Sequence, residues 1–269
     1  MERKPVVAGQ FYPGDEATLN KAVDACLSLA RDKAQAPTLL AMVPHAGYVF
    51  SGGVCGRTLA SASLADTILL LGPNHTGLGR RFAVWDSGVW NLPGIGVPID
   101  AELADSVLAS NPFFAADHDA HLREHSLEVI LPFLRRLNPE VTVVPVSVSE
   151  YSLERLEQAG RAVGRALKTF PRPVSIVVSS DMSHYISHDQ AKERDSLALD
   201  AAVALDPENL FRTVTDNDIS MCGVLPMTLG LFAALEMGAT RGELVAYATS
   251  GDASGDYSQV VGYAGVLVS

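Results

Sequence analysis

Apolar and polar positions follow two rhythms along this chain. Short unbroken apolar runs, Thr38–Val43 (TLLAMV), Thr67–Leu71 (TILLL), Val141–Val148 and Val174–Ser179 (VSIVVS), have the length of strands buried on both faces. Glu243–Thr249 and Val260–Val268 close the chain as two further strands. Between these runs the apolar positions recur with helical period. Asp15–Lys33 carries Leu19, Val23, Cys26, Leu27 and Ala30 on one stripe, with acidic residues at its start. The same reading predicts helices over Val54–Leu64 (opened by Ser51-Gly52-Gly53), Ala101–Ser110, Ser126–Leu137, Leu153–Thr169, Ala191–Leu205, Glu208–Val214 and Leu225–Met237. Pro132 must start, kink or interrupt the helix over Ser126–Leu137. Phe82–Asp86 and the Gly/Pro-rich stretch to Ile99 read as a hairpin or excursion. Strands alternating with helices predict an α/β fold with helices on both faces of a partly parallel sheet.

Composition narrows the class. The chain has 269 residues, 48% hydrophobic and 19% charged, which provides a real core and excludes disorder, collagen and coiled coil. Length allows one large domain or two small ones. With no repeat, low-complexity tract or break in composition, a single domain over 1–269 is expected. Twenty basic residues against 31 acidic give a net charge of −11, which argues against nucleic acid or a membrane surface as main partner. The apolar runs fall far short of the roughly 20 residues of a membrane helix. The N-terminus, MERKPVVAGQFYPGD, lacks an apolar signal core. A soluble, cytoplasmic protein is expected.

The candidate chemistry lies in the histidines. His45 follows TLLAMV by two residues, His75 follows TILLL by four, and His184 follows VSIVVS by five. In open α/β sheets that carboxyl edge is where ligand crevices form, and 30 residues between His45 and His75 fit one strand–helix–strand crossover. Two imidazoles there can share a metal. A single loop histidine is ordinarily solvated; three at equivalent strand ends point to a site. His118, His121 and His188 are expected at the surface. Third-ligand candidates are Cys222, Asp181, Glu124 and Glu128. The cysteines (Cys26, Cys55, Cys222) are odd in number and widely spaced, so neither a disulfide framework nor a four-cysteine zinc site is expected. Cys222 precedes an apolar helix, where a thiol is either a ligand, with its pKa lowered by the dipole, or a small buried hydrophobe. His125 and Glu128 share a face if their stretch is helical. There is no HExxH, Walker loop, GxGxxG or GxSxG. The Gly-rich patches near Gly52, Gly79 and Gly251 read as turns.

Taken together, PHAGY (44–48), GPNH (72–75), EHSLEVILPF (124–133), VSSDMSH (178–184), CGxxP (222–226), YATSGD (247–252) and YAG (263–265) resemble the Memo family, also known as AmmeMemoRadiSam system protein B. The resemblance spans almost the whole chain in conserved order of motifs. It extends to class III extradiol ring-cleaving dioxygenases and implies a three-layer α/β/α sandwich with a central mixed, largely parallel sheet. It further implies that His45, His75 and Cys222 are metal positions, that His184 is an acid/base with Asp181 beside it, and that Tyr48, Glu124 and His125 line a substrate pocket. The dioxygenases place a glutamate where Cys222 falls; cysteine is a softer donor that suits copper or zinc as well as iron. Thr76 stands where some relatives have a second histidine, and Val224-Leu225 where some have a basic pair.

These features support an iron- or copper-binding redox protein or oxidoreductase, zinc being a further possible metal, acting on a small-molecule or peptide ligand. The family name implies AMMECR-domain and radical SAM partners. Two alternatives stand beside this reading. One is a non-enzymatic metal- or peptide-binding interaction module, for which Arg80, Arg81 and Arg123 would form a local basic patch. The other is a zinc-assisted hydrolase.

Overall fold

Helix starts in this chain are set by side chains that complete the first turn. Asp15, Asp100, Ser152, Ser187 and Asp206 each accept the backbone N–H three residues on, satisfying an amide the helix itself leaves open. The computed structural model describes residues 1–30 and 33–269. In chain order the described residues form β1 (Glu2–Arg3), α1 (Glu16–Leu27), β2 (Leu40–Val43), α2 (Tyr48–Ser61), β3 (Thr67–Pro73), β4 (Phe82–Val84), β5 (Val89–Leu92), β6 (Ile95–Pro98), α3 (Ala101–Ser110), β7 (Ala115–Ala116), α4 (Leu131–Leu137), β8 (Thr142–Val148), α5 (Leu153–Thr169), β9 (Val174–Ser179), β10 (His184–Ile186), α6 (His188–Val203), α7 (Pro207–Asp216), α8 (Val224–Met237), β11 (Gly242–Thr249), α9 (Gly251–Ser254) and β12 (Val260–Val268).

The main sheet runs β10-β12-β2-β9-β3-β8-β4-β7, with β11 also paired to β12. Its centre, β2-β9-β3-β8, is parallel, and β12 and β4 flank it antiparallel. Side-chain alternation along the central strands separates two cores. Leu40, Met42, Leu69, Leu71, Val144, Val146, Ile176 and Val178 pack with α3, α5, α6, α7 and α8 on one face. Ala41, Val43, Ile68, Leu70, Val143 and Val177 pack with α1, α2 and α4 on the other. This is the expected α/β/α sandwich, and burial on both faces explains why the strands read as continuous apolar runs. A small sheet, β1-β5-β6, covers the second core with Trp90, Leu92 and Val97.

Some boundaries moved for identifiable reasons. The first predicted helix stops at Leu27, with Ser28 as its cap; Arg31 and Asp32 lie outside the described residues. α2 begins at Tyr48, so Gly52 and Gly53 sit inside the helix instead of opening it. The glycines of α2 let it pack closely on α1: a Cβ at Gly52 would lie 3.0 Å from Cys26 Sγ, and one at Gly56 2.6 Å from Cys26 backbone and side-chain carbons. Pro132 falls in the first turn of α4, where its missing N–H costs nothing, after a 3-10 turn over Glu128–Ile130. Among the described residues no helix is long and apolar enough to cross a membrane.

Candidate metal centre

Four parallel strands end at one edge, and the loops that leave it carry the candidate chemistry. β2 stops at Pro44 and hands over to His45; β3 stops at Pro73 and hands over to His75; β9 hands over to Asp181. His125 arrives from a different direction, on the turn that precedes α4. The donor atoms of His45, His75 and His125 all lie within 4.8 Å of one another, the one such group among the described residues. Their rings contact pairwise at centroid separations of 5.3, 5.5 and 5.0 Å.

Hydrogen bonds decide which nitrogens face the centre. Ser179 Oγ gives its proton to the Ser126 carbonyl (2.8 Å) and so can only accept from His45 Nδ1 (2.6 Å). That leaves the lone pair of His45 on Nε2. Burial, reinforced by His75 and His125, holds the pKa of His45 well below its ordinary value, which keeps the ring neutral. His75 Nδ1 is 2.9 Å from Glu124 Oε1, again leaving Nε2 for a ligand. Burial opposes charge on His75, but the Glu124 hydrogen bond and charge outweigh it and the pKa is raised. His125 is pushed down, chiefly by burial.

Glu124 is the organiser of this cluster. Its carboxylate, 1% exposed, accepts the backbone N–H groups of His75 (2.6 Å), His125 (3.0 Å) and Ser126 (3.0 Å) as well as the His75 ring. Burial alone would raise its pKa, yet these donors bring it down to about 2. A carboxylate–imidazole pair of this kind orients a metal-ligating ring and fixes its tautomer.

Cys222, at the entry to α8, sets its sulfur 3.4 Å from His45 Nε2 and outside the three-histidine group. Asp181 N–H donates to that sulfur (3.2 Å), and the Asp181 carboxylate accepts His45 N–H (2.8 Å). Burial first, then the Asp181 charge, pushes the thiol pKa up, which favours the protonated thiol. Burial likewise raises Asp181, to about 6, against the pull of the His45 amide and His184.

The remaining predicted residues fall in different places. His184 Nδ1 is bonded to the Ser220 carbonyl (2.9 Å), two residues from Cys222, so Ser220 and not Asp181 sets its tautomer. Tyr48 is buried in the second core, its hydroxyl donating to the Val129 carbonyl (2.8 Å). Glu128 is wholly buried against Arg3 (2.6 Å) and Tyr12 (2.7 Å). His121, expected at the surface, is 0% exposed. It stands edge-on to Trp85 and Trp90, and burial lowers its pKa to about 4. The polar string ADHDAHLREH concealed this, because two tryptophans from the β4–β5 segment close over it. His118 and His188 are partly buried and bonded to Asp86 and Thr249. Sequence reasoning passed over Ser179 and Ser126, whose roles depend on contacts across the sheet edge.

The donor set suits a cation. Two imidazoles have Nδ1 committed and Nε2 open. The 3.4 Å between sulfur and Nε2 is close to the roughly 3.5 Å expected for S and N donors on one tetrahedral ion with bonds of about 2.3 and 2.0–2.1 Å.

Comparison with known proteins gives the family and the fold. The family model described as Memo-like protein matches residues 3–267. A MEMO1 family protein of Aquifex aeolicus is 41% identical over 267 residues, covering 98% of each chain. One of Methanopyrus kandleri is 40% identical over 279 residues, covering 99% of each. The crystal structure of an uncharacterized protein from Escherichia coli K12 superposes with a TM-score of 0.52 at 14% identity, over 83% of this chain and 98% of that one, a likeness of fold alone.

Proposed function

This chain belongs to the Memo family, and from that premise we propose that the histidine cluster is a metal centre of redox or oxidoreductase function. The observation that carries the reading is the convergence of His45, His75 and His125 at the carboxyl edge of the sheet. His45 and His75 hold the ion with Cys222, whose sulfur already stands at donor distance from His45 Nε2. Iron or copper fits this mixed imidazole–thiolate set, with zinc as a further candidate. The bound ion would supply redox or Lewis-acid chemistry.

The protein supplies the rest. Glu124 and Ser179 hold the two ligating rings by their Nδ1 atoms. Asp181 keeps a negative charge beside the thiol and fixes the His45 backbone. His184, with Nδ1 tied to Ser220, keeps Nε2 to take or give a proton at a ligand. The ligand is a small molecule or a peptide, and the partners are an AMMECR-domain protein and a radical SAM protein, as the family's system name suggests. Three imidazoles are also a zinc set, which favours metal-assisted hydrolysis as the second reading.

Anaerobic purification followed by elemental analysis tests the centre directly. One equivalent of iron or copper in the wild type, lost in His45→Ala, with oxygen uptake by the loaded protein, is expected. Zinc with no oxygen uptake would transfer the assignment to the second reading. Equal metal content in both proteins would remove the centre.

A further inference from the structure

His125 differs from its two neighbours in how it is held. His45 and His75 each have Nδ1 in a hydrogen bond. For His125 Nδ1 the Glu124 Oε1 atom stands 3.6 Å away, beyond hydrogen-bonding distance. Among the described residues its ring nitrogens have no hydrogen-bond partner, and the ring packs against three others: His45, His75 and Phe11.

Phe11 comes from the N-terminal segment, which is anchored on both sides of His125. Glu128 accepts Arg3 Nη1 (2.6 Å), the Val7 and Val6 amides, and the Tyr12 hydroxyl (2.7 Å). Arg3 lies over Trp90 at 4.1 Å and donates to the carbonyls of His121 (2.9 Å) and Glu124. The turn then closes on itself through Gly9 N–H to the Tyr12 carbonyl (2.8 Å) and Phe11 N–H to the Val7 carbonyl (2.9 Å). The Phe11 carbonyl accepts Tyr48 N–H (2.8 Å), three residues beyond His45. This geometry sets the Phe11 ring edge-on to His125 with centroids 4.8 Å apart.

We propose that Phe11 is a positioning residue of the histidine centre, and that the first twelve residues are a built part of it: an aromatic edge does for His125 what Ser179 and Glu124 do for the other two rings. The claim about the ring stands on the metal-free protein; its consequence for a cation rests on the three-imidazole set named above, in which His125 is a ligand beside His45 and His75. A half-buried phenylalanine can be truncated without emptying a core, so Phe11→Ala should fold.

The test uses two readouts on the full chain. In the chelator-treated protein with labelled histidines, the order parameter of the His125 Cε1–H bond should fall in Phe11→Ala into the flexible range, below about 0.6. It should return in Phe11→Tyr, which keeps the edge. Titration with cobalt(II) alone should then give an affinity lower by about tenfold in Phe11→Ala, with a displaced d–d band, both restored in Phe11→Tyr. An unchanged His125 order parameter overturns the proposal whatever the metal does. A changed order parameter with wild-type affinity and band overturns its extension to the cation. If wild type and His45→Ala bind cobalt alike, the metal-centre reading fails and the order parameter alone decides the role of Phe11.

Discussion

Glu124→Gln should be among the most damaging single-atom exchanges in this protein. The carboxylate receives four N–H donors, three of them at Oε1 and one at Oε2. A carboxamide can turn its oxygen toward the three, but its NH2 then faces the His75 amide, donor against donor, in a site that is 1% exposed. The size of the effect follows from the depressed pKa. A fall from 4.5 to about 2 corresponds to about 3 kcal/mol of stability that the ionised form contributes. His75 shows only part of this in its own pKa, because its burial works against its charge and because backbone amides share the stabilisation of Glu124. The sign is fixed by the depressed value: the contribution is complete above about pH 4.5 and is lost as pH falls toward 2. Urea denaturation of the metal-free proteins at pH 7.5 should therefore show a loss of about 2–4 kcal/mol in Glu124→Gln, and acid denaturation should lose the wild type's steepness between pH 4.5 and 2. Metal affinity should drop about 10–100-fold with it. A stability loss below about 0.5 kcal/mol at pH 7.5, or an acid limb identical to the wild type's, would refute the role given to these four bonds.

Three further outcomes are expected. Cys222→Ser should lose most of its metal by elemental analysis, whereas Cys26→Ser, a half-buried thiol packed beside Gly52 and Gly56, should keep it and lose about 1 kcal/mol in a denaturation curve; equal metal in both contradicts the ligand assignment. His184→Ala should retain metal while any turnover falls by about 10²–10⁴, and loss of the metal itself would make His184 a ligand. His121 should make the protein acid-sensitive: with its folded pKa near 4 against 6.5, the unfolded chain takes up a proton that the folded one refuses, so stability should fall by up to about 3 kcal/mol between pH 6.5 and 4. His121→Gln should flatten that slope in melting curves recorded across the range; a wild-type slope in the variant would remove His121 as its source.

The linear chain determined a good deal here by itself. Leu153–Thr169, Ala101–Ser110 and Val174–Ser179 appear in the fold with the boundaries their periodicity predicts, because apolar period and caps are local properties. The placing of His45 and His75 just beyond two buried strands was equally legible, since parallel strands must end at a common edge. Tertiary structure decided the rest. It brought His125 to His45 across 80 positions of sequence, made Glu124 an organiser of rings, gave Tyr48 to the core, and buried His121 between two tryptophans. Each of these depends on partners distant in the chain: Ser179 with Ser126, Arg3 with Glu128, Phe11 with His125. A residue's type sets which bonds it can make; which partner it meets is fixed only when the sheet edge and the N-terminal segment close on one another.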